Sequence, residues 1–507
     1  MTESLPVDGA SLTPEQFLAV VRGGCEVSVP AEALARVAAS RRAVERAVTA
    51  GRPVYGVTTG FGSLSDRVIP PGDARLLQTS LVRSHSSGAG PPLPPDVVRG
   101  MVLLRLNSLA AGHSGVRPEV IERLVDLLNH RLVPFVPEQG SVGASGDLAP
   151  LAHLALALLG EGAFLDAEGR GEPAARVLAR EGIPPLELAE KEGVALVNGT
   201  ALMTSYLALA VEDLGALLAA AEIAGALSFD ALRGHPGSLD DRLGEIRHLP
   251  EQREEARILR TLLAGSRLAV AGPYQGQDPY TLRCLPQVLA SVRLALGFAR
   301  RVLEGELNAV TDNPVVFEGD EFVNGGNFHG QPLALALDTL ALGAQYLAAF
   351  SERRISRILH PALNRGLPPF LAARAGLSSG FMIPQYLAAA LVNENATLVH
   401  PASATSLPTS ADQEDFVSMG PWAGAKLRRI HANSSTVVAI EWMVAGQALE
   451  LRRPDVGGAG SESALRFLRE IVPPWSQDRP PAPDIERLAT AVRDGSAVRR
   501  VRRDVAF

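Results

Sequence analysis

Residues 201–232 read ALMTSYLALAVEDLGALLAAAEIAGALSFDAL. The run is long and apolar enough to raise the question of a membrane span, but Glu212, Asp213, Glu222 and Asp230 break it. A charge at mid-bilayer costs about 3 kcal/mol, so the run is predicted as a buried helix. Further Ala/Leu-rich stretches cover about 285–310, 331–359, 382–399 and 421–452. Pro332 suits a first helical turn, and Pro401 and Pro454 fall just beyond two predicted helix ends. Helices of roughly 20–30 residues exceed the ordinary globular length. They bury an Ala/Leu face only by packing lengthwise. The expected fold class is all-α, with an elongated long-helix bundle.

The first 200 residues differ. They are rich in Gly, Pro and Ser, with shorter helices and ordered loops predicted at Tyr55–Gly62, Arg83–Pro95 and Pro137–Pro150. Pro118 opens an amphipathic segment in which Val120, Ile121, Leu124, Val125, Leu127 and Leu128 recur at spacings of three and four. Strand-like pieces are few and short, such as Val315-Val316-Phe317 between Asn313-Pro314 and Gly319. No repeat or low-complexity linker separates the halves. We expect a loop-rich region over 1–200 and a long-helix region over 201–507, sharing one core.

The chain has 507 residues, 46% of them apolar and 20% charged, a globular balance. With 48 Lys+Arg against 55 Asp+Glu the net charge is −7, which gives no bulk attraction to nucleic acid or an anionic membrane. A small molecule or another copy of the chain is the expected partner. Cys25 and Cys284 lie far apart, which excludes a disulfide scaffold or thiolate zinc site and fits a reducing compartment. The segment Met1–Asp8 carries acid and proline where a signal peptide needs basic and apolar residues, so a cytoplasmic location is expected. The ten histidines form no HExxH or similar ligand spacing, and no metal is expected. Gly56–Gly62 has the wrong spacing for a phosphate or dinucleotide loop, and no GxSxG elbow is present.

One segment carries distinctive chemistry: Gly140-Ser141-Val142-Gly143-Ala144-Ser145-Gly146-Asp147-Leu148-Ala149-Pro150. Its plain reading is a Gly-rich turn entering the helix Leu151–Leu159, with Ser145 or Asp147 as cap. In a tightly held loop, however, Gly146 lacks a Cβ, so its nitrogen can approach the Ala144 carbonyl carbon. Cyclisation and loss of two waters would give an imidazolone whose exocyclic methylene derives from Ser145, an electrophile no ordinary side chain supplies.

This segment resembles the prosthetic-group motif of the aromatic amino acid ammonia-lyases and aminomutases, which build 4-methylideneimidazole-5-one (MIO) from Ala-Ser-Gly. The resemblance runs in order along most of the chain: Tyr55–Gly62, then Leu196-Val197-Asn198-Gly199-Thr200, then Gln277–Cys284. Thr311-Asp312-Asn313-Pro314, Gly325–Gly330 and Gln413-Glu414-Asp415 follow. It implies a carbon–nitrogen lyase with MIO formed from Ala144, Ser145 and Gly146, no metal or nucleotide, and a homotetramer whose active sites draw on several chains.

The resemblance also implies roles. Tyr55 is the expected base for the substrate's β-proton; a tyrosine is ordinarily protonated at neutral pH, so the site must stabilise the phenolate. Asn198 and Tyr280 are expected to flank the prosthetic group. Arg283 would clamp the substrate carboxylate in a two-pronged ion pair, and Gln277 and Phe328 would line the pocket. Ser84-His85 stands at the side-chain selectivity position, where histidine-specific members carry Ser-His. Glu414 stands where those members carry Glu, which can accept a proton from an imidazole but would be left unpaired by a phenyl ring. The expected reaction is elimination of ammonia from L-histidine to urocanate. A tyrosine or phenylalanine lyase or 2,3-aminomutase is the alternative, favoured by two departures from the histidine pattern, Thr58 and Phe416. A helical bundle whose Ala-Ser-Gly turn never cyclises is the non-enzymatic alternative.

Overall fold

Five long helices dominate the computed structural model: Ala201–Ala231, Leu285–Glu306, Gln331–Leu359, Met382–Leu398 and Gly420–Leu451. Each coincides with an Ala/Leu-rich run of the sequence. The structure describes residues 4–269 and 277–507. Among these, nineteen α-helices stand beside four sheets of two strands each, so the all-α expectation holds. The predicted amphipathic segment forms the helix Pro118–Asn129, and Val315–Phe317 pairs antiparallel with Glu321–Val323.

The chain divides into two compact units. The first comprises Met1–Leu209, Arg300–Leu337 and Pro401–Ala425; the second comprises Ala210–Ala299, Asp338–His400 and Lys426–Phe507.

At the centre of the first unit lies the helix Pro95–Ala110, buried on all sides from Val97 onward. A helix with no solvent face must satisfy its polar residues internally. Arg99 donates to the carbonyl of Val20 at 2.9 Å, and Asn107 Nδ2 donates to that of Leu307 at 2.9 Å. The strand Ala89–Pro92 pairs antiparallel with Pro137–Gln139, which draws together the two loop regions predicted at Arg83–Pro95 and Pro137–Pro150. Arg83–His85 belongs to the helix Ala74–His85 rather than to a loop. Its amphipathic pattern continues to that point.

In the second unit, Trp442 is fully buried and its indole N–H donates to the carbonyl of Ala220 at 2.9 Å. Arg354 and Glu441 form a buried pair, and Ser228 also donates to Glu441 at 2.6 Å. Removing one partner of such a pair costs about 3–5 kcal/mol. Gln331–Leu359 is, among the described residues, the one helix long and apolar enough to cross a membrane by length and composition, and most of that window is buried inside the protein.

Candidate active site

The Ala-Ser-Gly loop is held by backbone. Asp147 N–H donates to the carbonyl of Gly199 at 2.7 Å, and Gly146 bridges Gly199 in parallel. Gly146 has φ +77°, and a Cβ there would lie 2.1 Å from the Gly199 oxygen, so no other residue fits. The helix that follows is Leu148–Leu158. Asp147 occupies its N-cap position, one of the two places the plain sequence reading offered, but its side chain makes no cap hydrogen bond there. The Gly199 pairing brings the start of the helix Ala201–Ala231 against Asp147, whose Oδ2 accepts N–H groups of Leu202 at 2.8 Å and Met203 at 3.2 Å. Burial pushes the Asp147 carboxyl up to about 7, against the lowering effect of those two bonds.

Ser145 instead donates its hydroxyl to Oε1 of Glu414 at 2.7 Å. Oε2 of Glu414 accepts the hydroxyl of Thr409, also at 2.7 Å. The turn between these two is closed by a reciprocal backbone pair. Ser410, Ala411 and Asp412 all have positive φ, at 55°, 51° and 64°. Strain of this kind persists only where surrounding contacts hold it, and it concentrates at functional sites.

Tyr55 accepts the N–H of Gly62 on its phenol oxygen at 2.9 Å, and its ring meets Phe61 edge-on. The buried Gln78 ties this loop to the next: its amide N–H donates to Gly56 at 3.0 Å, and its oxygen accepts the N–H of Val194 at 3.2 Å. Val194 lies in the helix Glu192–Val197, which ends directly at Asn198. The Asn198 side-chain oxygen is buried with no hydrogen-bond partner. His85, the last residue of its helix, has Nδ1 3.1 Å from the Ser84 hydroxyl. Burial holds its imidazole below the ordinary histidine value, while the Leu81 carbonyl and the Glu414 charge act in the opposite direction.

Tyr55, His85, Ser145, Asn198 and Glu414 line one cavity of about 600 Å³ in the first unit. Phe328 is half-buried in the same unit but does not line it. Its neighbour His329 donates to the Phe416 carbonyl at 3.1 Å, and the two rings stack. Gln277, Tyr280 and Arg283 belong to the second unit, and none lines this cavity. Gln277 and Tyr280 are exposed, and the Arg283 guanidinium lies 4.5 Å from the centre of the Tyr280 ring with its Nε buried and unpartnered. Gln78, Thr409 and Gly62 are supporting residues that the sequence reading missed. No local pattern marks them, because their partners come from elsewhere in the chain.

The residues present fit a group made from Ala144-Ser145-Gly146. The glycine position admits no side chain, the serine hydroxyl lies against a carboxylate, and an unpaired amide oxygen borders the same cavity.

The aromatic amino acid lyase profile matches residues 12–470, and the chain belongs to that family. It is 49% identical to the histidine ammonia-lyase of Symbiobacterium thermophilum, over 97% of each chain. Among solved structures, tyrosine aminomutase from Streptomyces globisporus superposes with a TM-score of 0.95 at 40% identity, covering 100% of this chain and 99% of that one. Histidine ammonia-lyase from Trypanosoma cruzi gives 0.91 at 39% identity, covering 99% of this chain and 96% of that one.

Proposed function

We propose that this chain is an ammonia-lyase that eliminates ammonia from L-histidine and releases trans-urocanate. The observation that carries the reading is the Glu414 carboxylate, held 2.7 Å from the Ser145 hydroxyl in a cavity that His85 also lines. Those two polar groups suit an imidazole, and an aryl ring would leave them unpaired.

Ala144, Ser145 and Gly146 hold MIO, which when formed supplies an electrophilic methylidene carbon for the substrate's amine. Tyr55 removes the β-proton, and the N–H that Gly62 donates to its oxygen stabilises the negative charge it must carry. Asn198 offers its unpaired amide oxygen as an acceptor at the cavity wall. Arg283 pairs with the substrate carboxylate and thereby aligns the Cα–Cβ bond, with Tyr280 beneath it. Gln277 and Phe328 complete the pocket.

The enzyme works as a homotetramer whose active sites draw on more than one chain. Leu294 and Phe298 on one long helix, and Ile383, Tyr386 and Leu387 on another, are exposed apolar side chains of the kind subunit contacts bury. The free thiols of Cys25 and Cys284 suit the cytoplasm. The second reading, a tyrosine lyase or aminomutase, is favoured by Phe416 and Thr58 and by the likeness to tyrosine aminomutase. Purified protein incubated with L-histidine should release ammonia and urocanate in equal amounts; no urocanate, with a β-amino acid or an aryl acrylate from tyrosine, would overturn the histidine assignment.

A further inference from the structure

A buried cation lies behind the Ala-Ser-Gly loop. Arg105, on the helix Pro95–Ala110, is 1% exposed and donates one guanidinium N–H to the backbone carbonyl of Asn198. It donates another to Ser108 at 3.1 Å, and its Nε has no partner. Desolvation works against its charge and outweighs the opposing effect of Asp312 and Asp147. Lys191, equally buried, takes up Asp312 at 2.7 Å. The chain therefore keeps two desolvated cations here, of which Arg105 contacts the peptide that precedes Gly199 and Lys191 is paired with Asp312.

That peptide is the partner of the loop. Gly199 receives the Asp147 N–H and abuts Gly146, and its own position is closed from behind: a Cβ on Gly199 would lie 2.5 Å from the Arg105 guanidinium and 2.8 Å from the Thr311 hydroxyl. Thr311 also accepts the N–H of Thr200 at 3.3 Å. Arg105 thus touches neither the cavity nor the Ala-Ser-Gly residues, yet it fixes the carbonyl of Asn198, one residue from the contact that sets Gly146.

We infer that Arg105 is a positioning residue for formation of the prosthetic group: by pinning Asn198-Gly199 it holds Gly146 in register for its nitrogen to bond to the Ala144 carbonyl carbon. The step is an intramolecular condensation. The Gly146 N–C(Ala144) bond forms, and the Ala144 oxygen leaves as water with the N–H hydrogens of Gly146 and Ser145 as the Ala144 carbon becomes double-bonded to the Ser145 nitrogen. The Ser145 hydroxyl with its Cα hydrogen leaves as a second water. No oxidant or co-reactant is needed. The inference rests on the MIO reading above.

Intact-mass measurement tests it. Wild-type chain should be lighter than its sequence mass by two waters; an unmodified wild type would overturn the MIO reading itself. Arg105→Met should fold, by circular dichroism, yet lose water slowly. A charged hydrogen bond felt in full at the cyclisation barrier is worth about tenfold or more in rate. Arg105→Lys, which keeps the charge facing Asp312 and Asp147 but not the fork, should fold more readily and still mature slowly. Arg99→Met is the control: it removes another buried, though less deeply buried, arginine from the same helix, but one that bonds Val20, so it should lower the melting temperature and leave maturation complete. Two-water loss at the wild-type rate in folded Arg105→Lys would overturn the inference, as would an equal delay in Arg99→Met.

Discussion

The Ser145 hydroxyl donates a 2.7 Å hydrogen bond to Glu414 across 269 positions of sequence. The second oxygen of Glu414 is held by Thr409, so the carboxylate is held at both ends while the serine hydroxyl is present and by Thr409 once that hydroxyl has left in the proposed maturation. Fixed polar groups lose little by reorganising when charge develops, which is how a site gains from electrostatics. In the proposed reading one carboxylate serves two neighbours in turn: the serine hydroxyl before maturation and the substrate ring after it.

Ser145→Ala should remove nearly all activity and leave the fold unchanged. Only a β-hydroxyl can depart to create the methylidene, so the peptide spanning residues 144–146 should not lose the second water. The variant gives up one hydrogen bond to a charged acceptor, about 1.5–3 kcal/mol at most and less at this partly exposed position. Peptide mass mapping and the initial rate check this together, and an alanine variant that kept most of its rate would overturn the electrophile assignment.

Arg283→Lys should raise KM and lower kcat together. In the proposed reading the guanidinium pairs with a substrate carboxylate present in both ground and transition states, and it also sets where the β-proton lies. Its guanidinium lies over the Tyr280 ring, and its buried Nε is unpartnered. A lysine reproduces the charge but neither the fork nor the stacking. Steady-state kinetics with histidine decide it; near-native constants for the lysine variant would put Arg283 outside the site.

The long helices were legible because an Ala/Leu face repeats over many turns, and a helix such as Gly420–Leu451 has no other way to bury it. The loop chemistry proposed for Ala144-Ser145-Gly146 rests on motif order along the chain. Ser145, Asn198, Tyr55, His85 and Glu414 do line one cavity, but nothing in their local sequence says so. What escaped the sequence is tertiary. Asp147 stands at the N-cap of the helix it precedes, yet its carboxylate caps one that begins 54 positions later, because Gly199 pairs with its backbone. The Thr409–Glu414 turn takes three consecutive positive φ angles on Ser, Ala and Asp, of which Asp alone readily tolerates the left-handed region, and no Gly or Asn marks the run. Phe416 reads as a departure from the histidine pattern, and its stacking on His329 is a contact between distant segments.

Asp147 gives a pH prediction. Its folded value of about 7 lies above the ordinary 3.8. A raised carboxyl contributes stability that is fully present below the unfolded value and is lost as pH rises through the folded one. Against Asp147→Asn, wild type should therefore gain on going from about pH 8 to about pH 5, by about 2–3 kcal/mol. Comparing the pair cancels the other groups, including His85 and His153, whose lowered values act with the opposite sign. Denaturant unfolding of both proteins at the two pH values is the measurement, and parallel stabilities would show that Asp147 is ionised throughout.

Substrate choice is the sharpest prediction, because the fold does not decide it: a tyrosine aminomutase and a histidine ammonia-lyase superpose on this chain at nearly equal identity, 40% and 39%. The decision falls to His85 and Glu414, which share the cavity. An imidazole offers nitrogens to both, whereas a phenol or phenyl ring enters only by stripping water from them. A site built around hydrogen-bonding partners rejects analogues that lack them by about 10⁴ in favourable cases. The purified protein should therefore deaminate histidine with kcat/KM far above that for tyrosine or phenylalanine. Glu414→Gln should cut histidine turnover by about 10–100-fold, the worth of one charged hydrogen bond. It should also narrow the preference, since the charge that penalises an aryl ring is gone. Faster deamination of tyrosine than of histidine by the wild type, at equal concentration, would move the assignment to the tyrosine-specific branch.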